Sequence, residues 1–307
     1  MRIAPTKEQI NTWIKRFVPE KDLFFLREKD LKIFNDYLSE VLVIPKEEFF
    51  NHPSYGQIQF INSYMYWTIS NETKYVIVAQ PSWISELPKQ KKKDILNIQV
   101  EIMTGLILPT SIFSSLEQIP NEYIVSKREG VDEYIKKYIT NENEKFVVVR
   151  YDMWNNLPHA VKENAIKSYA HIWDDWKGHN FPTETPNHIK KYGNKFTTVS
   201  GSNCFASTLF AITGEDWIIN EWVHPETLLN GLNRAKYYLT NDEMKSDDVV
   251  TWVNSDNIVK HASYHIDNNL LFNKNGQVFF EPWKIIHFEQ VNEMFSDYEI
   301  RVYRKKS

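Results

Sequence analysis

Cysteine is nearly absent from this chain: Cys204 is the only one in 307 residues. No intrachain disulfide can therefore form, and the composition suits a reducing compartment. Long apolar runs are missing as well. No stretch approaches the ~20 consecutive apolar residues of a membrane-spanning helix, and Met1-Arg-Ile-Ala-Pro-Thr-Lys-Glu-Gln carries charges where a secretory leader needs an apolar segment. These absences predict a cytoplasmic protein with no membrane partner. An excess of one charge is also lacking. With 36 basic and 40 acidic residues and a formal net charge of −4, the chain has no general electrostatic grip on nucleic acid. Its one basic run, Lys89-Gln-Lys-Lys-Lys93, reads as the solvated face of a surface helix.

Apolar residues make up 42% of the chain and aromatics 14%, which is ample material for packed cores. The length suggests about two domains at ~150 residues each. An N-terminal α+β domain is predicted over residues 1–180 and a second domain over 181–307, with Gly178 to Asn187, carrying Pro182 and Pro186, as the linker. Helical spacing predicts amphipathic helices near 7–17 and 29–42. Alternation predicts a β-hairpin over 57–78 that turns at Asn71-Glu72-Thr73. A long helix follows over 81–103, then a strand at 123–126, a short helix at 130–139, a strand at 145–151 and a helix over 157–176. No motif in this half attaches to a chemistry. His159, His171 and Asp174-Asp175 lack a partner of matching spacing, so no metal is expected, and His224 with Glu226 reads as a helix start. No cofactor is called for.

Cys204 is different because of where it falls. Ser200-Gly-Ser-Asn203 supplies turn and N-cap residues, and Phe205, Ala206, Leu209, Phe210 and Ile212 continue with roughly helical spacing. The thiol is thus predicted in the first turn of a helix, where the positive dipole end favours a thiolate and makes it a candidate nucleophile. A buried small hydrophobe is the other reading of the same residue.

Downstream, Asp247-Asp-Val-Val-Thr-Trp252 and Lys260-His-Ala-Ser-Tyr-His-Ile-Asp-Asn-Asn-Leu-Leu-Phe-Asn273 read as strand, turn, strand. The two-residue period puts His261, Ser263 and His265 on one face, and Ala262, Tyr264 and Ile266 on the other. Asp267-Asn-Asn is a hairpin turn, and Asn273 lies 12 positions after His261, so an antiparallel hairpin brings the two side by side. A helix is expected over about 221–238. One or two strands over 277–286, a helix near 288–295 and a final strand at 298–303 complete the chain.

A cysteine at a helix start, an Asp-Val-Val strand entry, a His-x-x-Tyr strand and a polar residue 12 positions after the histidine resemble the catalytic core of the NlpC/P60 superfamily of papain-like cysteine peptidases. The resemblance covers about residues 190–290. Asn203 and Phe205-Ala206 stand where members carry Asp before the cysteine and Ser-Gly after it, which makes this a divergent member. The resemblance implies an α+β, papain-like fold for the C-terminal domain, with the cysteine helix packed on an antiparallel sheet. It also implies that Cys204 is the nucleophile, His261 the base and Asn273 the residue that orients the imidazole. Tyr192, followed by Gly193, would hydrogen-bond near the nucleophile.

Such a triad performs acyl transfer through a thioester, with water as the default acceptor and the Cys204 N–H meeting the oxyanion. The expected activity is that of a cysteine peptidase or amidase cleaving an amide in a small peptide of cell-wall type. Asn203, Ser263, His265, Asp267 and Tyr192 are its auxiliary candidates. Two alternatives use the same residues. His265 with Asp267 would give a Cys-His-Asp arrangement resembling transglutaminase-like acyl transferases. The fold can also serve as a catalytically inactive binding module.

Overall fold

The computed structural model describes residues 1–126, 145–197 and 200–306. The short helix expected at 130–139 lies outside them. The fold is α+β, built of antiparallel sheets and helices in two compact units, Ile10–Ile172 and Met1–Gln9 with Trp173–Ser307. The division after residue 180 expected from the proline-rich stretch is therefore displaced. Met1–Gln9 belongs with the C-terminal unit because Arg2 bridges to Lys177 and the Ile3 N–H donates to the Trp176 carbonyl at 2.7 Å. No helix among the described residues is long and apolar enough to cross a membrane.

Among its described residues the Ile10–Ile172 unit holds two three-stranded antiparallel sheets. One has the order β1 (Asp22–Leu26), β3 (Tyr75–Ala79), β2 (Leu42–Pro45), and the other the order β4 (Ile107–Pro109), β6 (Lys145–Val148), β5 (Ile124–Ser126). The hairpin expected over 57–78 is replaced in its first half by the helix Ile58–Ser63 and the 3-10 turn Tyr66–Thr68. Ile58, Ile61 and Tyr64 recur at helical spacing and pack on Phe25 and Phe49, so tertiary burial overrides the β-like composition. The long helix expected over 81–103 divides into Pro81–Glu86 and Lys89–Glu101. Pro88 forces the preceding Leu87 out of the helical region, to φ −62° and ψ 144°. The helix expected over 29–42 is a single turn, Glu28–Leu31, followed by the 3-10 segment Lys32–Tyr37.

The C-terminal unit is organised by one six-stranded antiparallel sheet. Its order is β11 (Lys284–His287), β10 (Leu270–Asn273), β9 (Val259–Asp267), β8 (Val249–Val253), β12 (Glu299–Lys305), β7 (Tyr237–Thr240). The β9–β10 hairpin turns at Asn268 and Asn269, whose φ values of 51° and 59° lie in the left-handed region that Asn tolerates. The helix expected to run to about residue 238 is confined to Pro225–Arg234. Lys236, at φ 63°, reverses the chain into β7. Only Lys284–His287 forms a strand in the stretch 277–286.

Alternation along the strands divides the core in two. The helix Cys204–Thr213 covers one face, where Phe205, Leu209 and Phe210 pack with Val249, Ala262, Tyr264, Ile266, Phe272 and Ile285. On the other face Val250, Trp252, Leu271 and Ile286 pack with Val291 and Phe295 from the helix Phe288–Met294 and the turn after it. Each large side chain buried in this way contributes roughly 1.5–3 kcal/mol. β9, flanked by β8 and β10, is buried on both faces.

Candidate functional site

Asn203 caps the cysteine helix. Its Oδ1 accepts from the Ala206 N–H at 3.0 Å and its Nδ2 donates to the Val223 carbonyl at 2.7 Å. Cys204 therefore begins the first turn, and the residue is 7% exposed among apolar neighbours. Burial pushes the thiol pKa up to about 12. The N–H groups of Ala262 and Phe205 and the Lys274 charge oppose that shift without cancelling it. The expectation of a stabilised thiolate at the helix start is thus overturned: desolvation in the apolar cluster outweighs the end of the helix dipole.

His261 stands on the other face. Pairing of Trp252 with His261, and of Val250 with Ser263, aligns these two polar side chains with the Trp252 side of the sheet. The next residue, Ala262, joins the cluster that holds Cys204. The imidazole stacks on Phe295 with centroids 4.3 Å apart and planes 16° apart, and it lies 5.4 Å from Trp252. Its Nε2 is 2.7 Å from Asn273 Oδ1. Burial lowers the ring pKa to about 4, with the Asn273 hydrogen bond opposing. The structure therefore brings His261 and Asn273 together and does not join them to Cys204. Among the described residues no hydrogen bond links the sulfur to the ring, and both groups are neutral at pH 7.

The auxiliary candidates are dispersed. Ser263 Oγ donates to Asn273 Oδ1 at 2.7 Å and so belongs to the His261 pair. His265 Nδ1 faces the Lys245 carbonyl at 2.6 Å, and its buried Nε2 has no hydrogen-bond partner among the described residues. Asp267 accepts from Asn268 and, at 3.5 Å, from Ser246, not from His265, so the Cys-His-Asp variant is not assembled. Asp267 is the last residue of β9, directly before the Asn268-Asn269 turn. Tyr192 packs on Phe210 and Trp283, and its hydroxyl joins the Lys191–Asp216 ion pair beyond the C-terminal end of the cysteine helix. It does not reach Cys204, because the Cys204–Thr213 helix separates the two ends.

Residues outside the expected set extend the polar face. Asn273 Nδ2 donates to Asn275 Oδ1 at 2.7 Å, and Asn275 Nδ2 donates to Asp174 Oδ2 at 3.1 Å. Lys284 Nζ lies 2.9 Å from that same oxygen, and both partners are buried. Beside the chain, the buried Lys274 ammonium donates to the carbonyls of Gly276, Val278 and Glu281 at 2.6, 3.1 and 3.0 Å. Burial pushes Lys274 down and Glu281 up, each partly offset by the charge of the other. Asn273-Lys-Asn-Gly signals only a turn in the sequence, and Asp174-Asp175 only a weak metal candidate. No sequence pattern connects them across some hundred residues.

No protein-family model, curated protein or solved structure matches this chain.

Proposed function

We propose that the C-terminal unit uses the frame of a papain-like thiol hydrolase as a catalytically silent binding module. One observation carries this reading. The sulfur packs with the apolar cluster on one face of β9, and the imidazole leaves β9 on the other. A thiol held near pKa 12 and a ring held near 4 have no drive to exchange a proton at neutral pH. The Cys204 position then serves packing, as a small apolar side chain does.

A cysteine peptidase or amidase is the second reading, favoured by the buried 2.7 Å contact between His261 Nε2 and Asn273 Oδ1 at a spacing of 12 residues. In that reading Cys204 attacks an amide of a small peptide, His261 accepts the thiol proton, and Asn273 braces the ring, with no cofactor. It requires the sulfur and the ring to be brought to one side before reaction. Incubation with a peptidyl epoxide that alkylates catalytic cysteines, read by mass spectrometry at pH 7, separates the two. The silent module gives no adduct at Cys204. An adduct that disappears in His261→Ala establishes the hydrolase.

A further inference from the structure

Four side chains on the polar face form a line that ends in a charge. Asp174 is buried beside the Lys284 ammonium at 2.9 Å, and its Oδ1 also accepts from the Trp176 N–H at 2.7 Å. A carboxylate offers only acceptors, so the neighbouring amide must present its NH2 group to it. Asn275 does so at 3.1 Å, which turns its oxygen toward Asn273. Asn273 then donates to that oxygen at 2.7 Å, which turns its own oxygen toward His261. That oxygen accepts from Ser263 at 2.7 Å and faces His261 Nε2 at 2.7 Å. Two acceptors cannot face each other in a buried site without loss, so the ring proton belongs on Nε2.

We propose that Asp174 is a positioning residue that sets the tautomer of His261 through Asn275 and Asn273, holding its proton on Nε2 and leaving Nδ1 bare. Reversing any one amide would set oxygen against oxygen or NH2 against NH2 along the line. The Asp174–Lys284 ion pair at the end of the line therefore orients the whole row. His265, four residues further along the same strand, is under the opposite instruction. Its Nδ1 faces the Lys245 carbonyl at 2.6 Å and must carry the proton there. Neighbouring histidines of one strand are thus held as different tautomers. Burial keeps the His261 ring neutral at pH 7, so that tautomer is a defined state at that pH. The inference stands whether the unit is silent or hydrolytic, because no activity enters it.

Long-range 15N–1H correlation spectra of the imidazoles in the full chain at pH 7 test it, with His261→Gln assigning the His261 signals. The wild type is expected to show His261 protonated on Nε2 and His265 on Nδ1. Asn275→Ala, which cuts the line and spares the Asp174–Lys284 pair, should lower the Nε2–H to Nδ1–H ratio of His261 by about tenfold or more and leave His265 unchanged. Asp174→Asn should do the same where it folds. A wild-type His261 protonated on Nδ1, or an undiminished Nε2–H form in Asn275→Ala, overturns the assignment.

Discussion

On one face of β9 the Cys204 thiol is buried in the apolar cluster, with only backbone N–H groups and the Lys274 charge opposing its desolvation. On the other the His261 ring is equally buried, yet it holds one end of a row of amides that closes on a carboxylate and an ammonium. Burial desolvates both groups and keeps both neutral at pH 7, but the structural consequences differ. The thiol tolerates its surroundings because sulfur is a weak hydrogen-bonding partner. The imidazole requires a partner, and that partner requires another, until a charge terminates the line.

The largest effect that would break this contrast lies at the far end of the polar face. Lys284→Met strands the buried Asp174 carboxylate and should cost about 3–5 kcal/mol in chemical denaturation. A loss below 1 kcal/mol would show that the pair is solvated and that the row has no fixed end.

Next comes the pH dependence of stability. His261 is held near pKa 4 in the folded chain, against an ordinary value of 6.5. Between those values the unfolded chain takes up a proton that the folded one refuses. Its contribution is therefore complete above pH 6.5 and is lost as the pH falls toward 4, up to about 3 kcal/mol. His261→Gln keeps an amide donor for Asn273 and should lose that slope. Parallel curves for the two proteins between pH 4 and 7 would contradict a buried neutral ring.

A smaller effect is expected on the apolar face. Cys204→Ala removes one sulfur from the cluster and should cost about 1 kcal/mol, with no dependence on pH below 8. Ser263→Ala on the polar face should cost a similar amount, about 1 kcal/mol, because it deletes one of the two donors to Asn273 Oδ1. The sharper difference is spectroscopic: Ser263→Ala should perturb the His261 ring signals and Cys204→Ala should not.

Much of the C-terminal unit was legible in advance. The Asn203 cap and the apolar residues after it specify the Cys204–Thr213 helix, and Asp267-Asn-Asn specifies the β9–β10 turn. The shared face of His261, Ser263 and His265 follows from the two-residue period. That period says which residues share a face; it does not say which face a distant helix covers. The relation of Cys204 to His261 was unreadable for this reason, although both residues stood out. Local rules failed elsewhere for other reasons. Asp22–Leu26 is buried at every position and so shows no alternation, while the aromatic stretch at 58–68 mimics strand composition and packs as helix. The partnership of Asp174 with Asn275 spans too much chain for any pattern to reveal.

The separation of sulfur from imidazole is tested most directly by the rate of Cys204 alkylation with iodoacetamide between pH 6 and 11, in the wild type and in His261→Ala. Burial of a neutral thiol predicts labelling far slower than that of an unfolded control below pH 9, rising only toward pH 11 and identical in the two proteins. Rapid labelling with a midpoint well below pH 8 that His261→Ala removes would mean that the two groups meet on one face.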